Sequence, residues 1–173
     1  MAQIKGSMAM AARKKIVSRD AVPKICNELR AKGKKIVTCN GSFDLMHIGH
    51  ITFLQEAKAR GDALIVGVNS NSSVKQYKSK DKPIIDEKHR MESLAALECV
   101  DYVVLMDEKE IAVPLINLAR PDVHANGEEY GKDCVEAKAI KAIGGKLYLV
   151  KKVPGFSTTE LIDRITQIYC RKK

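Results

Sequence analysis

An α/β fold, an open parallel sheet of about five strands with helices on both faces, is what the sequence predicts. Three observations predict it. From Ile36 onward, short β-branched runs alternate with longer amphipathic segments, as in successive βαβ units. The short runs are apolar enough to lie inside a sheet covered on both faces. The length of 173 residues fits one domain with short extensions.

The elements follow in chain order. Asp20–Lys32 places Val22, Ile25, Cys26 and Leu29 at helical offsets and is ended by Gly33. Lys35–Cys39 is the first strand. His47–Arg60 is the first covering helix, with Ile51 and Leu54 on its inner face and Gly61 at its end. Ala63–Val68 is the second strand, and Ser70–Asp86, rich in Ser, Asn and Lys and containing Pro83, reads as a mobile loop. Glu87–Cys99 repeats Met91, Leu94 and Ala95 as a helix, leading to strand Tyr102–Leu105. Helix Glu110–Leu118, strand Asp122–Ala125, helix Val135–Ile143 with Gly144-Gly145 behind it, and strand Lys146–Val150 continue the alternation. The last helix, Ser157–Ile168, opens with Ser157 and Glu160 at capping-box spacing. Residues 15–173 read as a single domain. Residues 1–14 are set aside as a flexible extension or tag remnant, because Gly6-Ser7-Met8 precedes a second start-like segment and no apolar stretch of signal-peptide length is present.

Composition narrows the function classes. Hydrophobic residues at 45% and charged residues at 29% describe an ordinary globular chain, and no apolar run reaches the roughly 20 residues of a membrane span. The formal charge of +9 favours anionic partners. With no Trp, 5% aromatic residues and basic residues scattered along the chain, nucleic acid is not the expected partner. Five widely spaced cysteines with no CxxC pair point to a reducing cytoplasm rather than to zinc or disulfides.

The chemistry concentrates in Asn40-Gly41-Ser42-Phe43-Asp44-Leu45-Met46-His47-Ile48-Gly49-His50, at the junction between the first strand and the first helix. Open α/β sheets bind ligands at such junctions. Gly41 and Ser42 allow close approach of the backbone to a phosphate, and the helix directs free N–H groups and its positive dipole end to the same place. His47 and His50, three apart, lie on one face of the first turn, and Gly49 between them removes a blocking side chain. The competing structural reading makes His47 a helix cap and His50 a half-buried packing residue.

These residues resemble the HxGH nucleotidyltransferase superfamily, whose members transfer a nucleotidyl group from ATP or CTP. The resemblance to the adenylyltransferase domain of bacterial D-glycero-D-manno-heptose 1-phosphate enzymes covers nearly the whole chain from about Lys15. It rests on Lys15-Ile16-Val17-Ser18, Leu29–Lys34, the NGSFDLMHIGH segment, Gly61–Ser70 and Leu94–Asp101. The chain leaves no room for the sugar kinase to which that domain is often fused.

The resemblance implies a Rossmann-like sheet and a reaction in which AMP passes from ATP to a sugar 1-phosphate with release of pyrophosphate. It implies catalytic roles for His47, His50, Lys78 and Lys80, the histidines meeting the triphosphate and the lysines its phosphates. It assigns nucleotide contacts to Gly41, Ser42, Phe43, Asp44, Gly49, Arg90, Asn126 and Gly127, with Arg90 holding a departing phosphate. Ser157, Thr158 and Thr159 match a second signature, in which a helix N-terminus closes over the β- and γ-phosphates. Mg2+ bound with ATP, a homodimer and a cytoplasmic location are implied by analogy. Two departures stand out: Asn126 occupies a position where those enzymes commonly have lysine, and Lys152 stands where cytidylyltransferases usually have arginine. Alternative readings are a cytidylyltransferase acting on glycerol 3-phosphate or a similar ester, and a non-catalytic nucleotide-binding regulator.

Overall fold

The structure, a computed structural model, describes residues 12–170. Most of the segment set aside as an extension, residues 1–11, lies outside that range. Of the remainder, Ala12 packs on the core and the Arg13 guanidinium meets Glu92 at 3.0 Å, so the packed domain begins slightly before Lys15.

Six parallel strands form the sheet: β1 Ile16–Val17, β2 Ile36–Gly41, β3 Ala63–Asn69, β4 Tyr102–Met106, β5 Val123–Gly127 and β6 Lys146–Val150. Their spatial order is β1-β4-β3-β2-β5-β6. The expected count of about five omits β1, a two-residue edge strand in register with Val103 and Val104. So short a strand leaves no periodic trace in the sequence.

Alternation along each strand divides the apolar residues between two layers. Val37, Cys39, Leu64 and Val66 face α2 (Ile48–Lys58) and α4 (Glu87–Ala95), where Leu54, Ala57, Leu94 and Ala95 are buried. Ile36, Ile65 and Val104 face α1 (Val22–Ala31) and α5 (Ala112–Ala119), meeting Cys26, Leu115 and Ala119. Gly67 is required by this second layer, since a Cβ there would lie 2.8 Å from the Leu115 Cδ2. Helix α6 (Val135–Ala142) packs beside α5 and β6. Helix α7 (Thr158–Tyr169) is amphipathic, with no buried residue.

The segment Ser70–Asp86, expected as a loop, begins with a further helix, α3 (Asn71–Tyr77). The Ser70 hydroxyl accepts the Ser73 N–H at 3.1 Å and so caps its first turn. With Val74 its only buried apolar residue, α3 offers almost no hydrophobic periodicity to detect.

The two ends of the sheet differ in charge. Aspartates precede three strands and accept backbone amides there: Asp62 from Lys35 at 2.8 Å, Asp101 from Leu64 at 2.7 Å and Asp122 from Ile36 at 2.7 Å. At the opposite end, β2, β3 and β5 finish near neutral Asn40, Asn69 and Asn126. The chain leaves β2 for β3 on one side and returns to β2's other side as β5. The strands part there, opening a crevice at their carboxyl ends.

His124 on β5 is fully buried, its Nδ1 2.8 Å from the Thr38 hydroxyl and its Nε2 without a partner. Burial lowers its pKa from 6.5 to about 3. The unfolded chain therefore binds a proton that the folded one refuses between those values. This contribution to stability is complete above pH 6.5 and is lost as pH falls towards 3, with a slope approaching about 1.4 kcal/mol per pH unit. Urea unfolding from pH 7.5 to 4 should show a steeper decline for the native chain than for His124→Asn. Parallel curves would contradict this.

Candidate active site

The loop joining β2 to α2 is forced into shape by the chain's own backbone. Phe43 and Leu45 take left-handed conformations, φ 48° and 45°, unusual for side-chain-bearing residues. Gly41 lets the Phe43 ring fold back on the strand, because a Cβ there would lie 3.2 Å from that ring. This double bend delivers His47 to the N-cap of α2.

Both imidazoles are then oriented by main-chain amides. The Gly49 N–H donates to His47 Nδ1 at 3.1 Å, and the His47 N–H donates to His50 Nδ1 at 3.4 Å. An Nδ1 that accepts a hydrogen bond carries no proton, so in the neutral ring Nε2–H is the donor. The ring centroids are 4.0 Å apart and inclined by 33°. Burial, then the nearby His47 and Lys78, lower the His50 pKa to about 4; burial foremost also lowers that of His47, opposed by Glu160 and reinforced by Lys152. Two neutral rings thus present Nε2–H donors at a helix N-terminus. The capping role and the ligand role coexist: each histidine uses Nδ1 for one and keeps Nε2 for the other.

These rings line a cavity of about 270 Å³ at the crevice between β2 and β5. It brings together Gly41, Ser42, Phe43, His47, Gly49, His50, Lys78, Asn126, Gly127, Ser157 and Thr158 from the sequence-derived set. Lys78 Nζ donates to the Ser42 hydroxyl at 2.7 Å, and desolvation foremost lowers its pKa. Gly49 sits between the His47 ring and the Phe156 carbonyl, where a Cβ would lie 2.9 Å and 3.1 Å away, so the loop before α7 closes directly onto the histidine turn. Ser157 caps α7 by accepting the Glu160 N–H at 3.2 Å, and the Thr158 hydroxyl donates to the Asp44 carbonyl at 3.2 Å. The first-turn amides of Thr158 and Thr159 have no helical carbonyl to bond.

Four of the residues assigned from the sequence do not line this cavity: Lys80, Thr159, Asp44 and Arg90. Lys80 and Thr159 are exposed beside it. Arg90 and Asp44 bond to the backbone around the site. Arg90, 1% exposed, donates to the carbonyls of Ser42, Ile85 (2.9 Å) and Asn69 (2.8 Å) and to Asn71 Oδ1 (3.0 Å). Both Asp44 carboxylate oxygens accept amides of the segment after Lys78, from Ile84 at 2.8 Å and Ile85 at 2.9 Å. These bonds tie that segment to the histidine loop and so hold Lys78 against Ser42. A sequence cannot distinguish an arginine aimed at carbonyls from one aimed at a ligand.

The cavity also includes residues to which the sequence assigned no contact: Phe53, Glu129, Tyr130, Val150, Lys151 and Val153, with Asn40 and Phe156 from within the two motifs. Most flank a recognised motif, which was the available signal. Asn126 has its Oδ1 on the Gly127 N–H at 3.0 Å and its Nδ2 4.0 Å from the Cys134 sulfur. Among the described residues, no group of three or more His, Cys, Asp or Glu side chains could hold a metal ion, and no helix is long and apolar enough to cross a membrane.

A parallel α/β sheet with paired histidines at a strand-to-helix turn, opposite a second helix N-terminus, defines a domain of the nucleotidyltransferase type. A family model described as cytidylyltransferase-like matches residues 38–165, and the chain belongs to that family. It is 44% identical over 156 residues to the "Bifunctional protein HldE" of Geobacter metallireducens, covering 90% of this chain and 32% of that protein. The protein of the same name in Methylobacillus flagellatus is 40% identical over 164 residues, covering 94% of this chain and 33% of that protein. The chain thus spans about a third of the length of these curated relatives. A solved lipopolysaccharide core biosynthesis protein from Thermoplasma volcanium superposes with a TM-score of 0.56 at 31% identity, covering 70% of this chain and 98% of that one. The pantoate-beta-alanine ligase of Francisella tularensis shares the fold, with a TM-score of 0.57 at 18% identity over 91% of this chain and 79% of that one.

Two outcomes are expected. Replacing Arg90 with Met orphans the buried carbonyls of Ser42 and Asn69 and the part-buried one of Ile85 and should lower the unfolding free energy by about 3 kcal/mol or more in denaturant titrations; a loss below about 0.5 kcal/mol would contradict this structural role. In 15N NMR at pH 7, both His47 and His50 should carry their proton on Nε2, and a protonated Nδ1 on either ring would contradict the amide orientation.

Proposed function

We propose that this domain transfers AMP from ATP to a sugar 1-phosphate, D-glycero-D-manno-heptose 1-phosphate being the acceptor to which its sequence resemblance points, giving ADP-heptose and pyrophosphate. The observation that carries the proposal is the pair of amide-oriented, neutral imidazoles at the N-terminus of α2, beside Lys78 in one cavity. Support for an ATP-dependent sugar-phosphate reaction comes from the likeness to the two bifunctional proteins and to the lipopolysaccharide core biosynthesis protein.

The chemistry needs no protein nucleophile. A phosphate oxygen of the acceptor attacks the α-phosphorus in line, the new P–O bond forms as the bond to the β-phosphate breaks, and pyrophosphate leaves from the opposite side. The acceptor is already ionised near neutral pH, its second pKa being about 6, so no general base is required. Catalysis reduces to positioning and to stabilising charge on the transferring group. The Nε2–H donors of His47 and His50 face oxygens of that group. Because the rings are neutral and already oriented, they donate without reorganising during the reaction. Lys78, held by Ser42, neutralises charge where the two phosphates meet. The N-terminus of α7 with Lys152 receives the departing β- and γ-phosphates, a natural anion site.

Magnesium carried with the nucleotide would supply positive charge to offset that of the phosphates. The donor set fits a metal that arrives on the nucleotide: among the described lining residues Glu129 is the single carboxylate, whereas a protein-only cage would need several.

His50→Ala should reduce turnover by about a hundred- to a thousandfold with the fold intact, as for loss of one preorganised donor. Near-normal turnover would remove His50 from the mechanism. Pyrophosphate release measured with ATP and CTP across sugar 1-phosphates and polyol phosphates tests the substrate pair; a clear preference for CTP would overturn the adenylyl assignment.

A further inference from the structure

The walls of the cavity separate at one rung of the sheet. β2 pairs with β3 over six rungs, ending with Gly41 beside Val68, and β5 pairs with β6 over five, ending with Gly127 beside Val150. Between β2 and β5 the described residues form two rungs, Val37 with Val123 and Thr38 with His124. Beyond the second the two strands diverge while each keeps its outer neighbour, and the crevice opens in the gap. Asn40, two residues on from Thr38, and Asn126, two on from His124, line the cavity there.

The last shared rung carries a second tie. Thr38 Oγ1 and His124 Nδ1 lie 2.8 Å apart and share a hydrogen bond, and both residues are 0% exposed. Alternation puts Thr38 and Asn40 on one face of β2, and His124 and Asn126 on the same face of the sheet in β5. A side-chain bond at the point of divergence restrains the separation and twist of the two strands beyond it. It thereby sets the spacing between the loop that carries Ser42, His47 and His50 and the wall formed by Asn126 and Gly127. The imidazole is not what packing alone selects. Its Nε2 has no partner among the described residues, a cost in stability that leucine avoids. Departures of this kind mark places built for function rather than for stability.

We propose that Thr38 and His124 are positioning residues for the nucleotide: their hydrogen bond clamps β2 to β5 where the strands part and holds the two cavity walls at the spacing that a ligand lying across both requires. Neither residue lines the cavity, so the pair acts through the strand ends that carry Asn40 and Asn126 rather than by contact. The inference rests on the nucleotidyl-transfer reading for the identity of the ligand. A ligand gripped from both sides is sensitive to the gap, since misplacement by about 1 Å costs on the order of a hundredfold where geometry decides the reaction.

The test is calorimetric titration of the full chain with α,β-methylene-ATP and Mg2+. It compares the native protein with Thr38→Val, His124→Leu, the double variant, and His124→Asn, whose amide takes the place of Nδ1 against the Thr38 hydroxyl. Thr38→Val and His124→Leu should each weaken the analogue by about tenfold, the double variant no more than either alone, and His124→Asn by less than about threefold. Urea unfolding of each variant should stay cooperative with the native m-value, so that the walls rather than the whole fold have changed. The proposal is overturned by native affinity in Thr38→Val and His124→Leu, by losses that add in the double variant, or by equal losses in His124→Asn and His124→Leu. A changed m-value in the weakened variants would assign the loss to a loosened fold and overturn it as well. A native chain that binds no nucleotide overturns the proposed function together with this role, whereas native binding with unaltered variants removes the clamp alone.

Discussion

Two backbone amides that donate into imidazole rings govern how this site is built. The Gly49 and His47 N–H groups are orphan donors created by starting a helix, and they end on the Nδ1 atoms of His47 and His50. Satisfying them locks both rings, selects one tautomer and turns both Nε2–H groups outward. The same burial that keeps the rings neutral makes them better oriented and less hydrated donors. Stability draws on the two Nδ1 atoms and ligand chemistry on the two Nε2 atoms of the same rings, so the roles do not compete.

The rest of the fold arranges charge around that turn. Carboxylates collect at the amino ends of the strands, where Asp62, Asp101 and Asp122 accept main-chain amides, and are replaced by asparagines at the carboxyl ends. Asp44 and Arg90, both buried beside the site, bond to backbone and in doing so join the histidine loop to the segment bearing Lys78. The cavity is left basic, apart from the single carboxylate of Glu129, and opens at the point where the chain reverses its direction of travel across the sheet. An anionic ligand is drawn there by lysines and by two helix N-termini that meet over Gly49.

Much of this was legible in the amino-acid sequence because it depends on local rules. Strands β3 and β4 carry apolar runs, helices α1, α2 and α6 are followed within three residues by glycines, and the Gly41-to-His50 segment sits where strand chemistry gives way to helix chemistry. What escaped notice depends on partners distant in sequence. β1 is a strand only because β4 lies beside it. α3 forms around one apolar side chain and a serine cap, too little to produce a period. The type and position of Arg90 suit a phosphate ligand, but they do not disclose its bonds to the carbonyls of Ser42 and Asn69, 48 and 21 residues away. Glu129 and Phe156 line the site by virtue of loop geometry, which residue identity does not encode.

The central claim is that the two Nε2–H groups meet the phosphate at which transfer occurs. A crystal structure of the chain with Mg2+ and α,β-methylene-ATP tests it directly. The account predicts both Nε2 atoms within about 3 Å of phosphate oxygens next to the scissile bond, with the terminal phosphates at the N-terminus of α7. A nucleotide whose base rests on the histidines, or whose phosphates lie along another edge of the sheet, would contradict it.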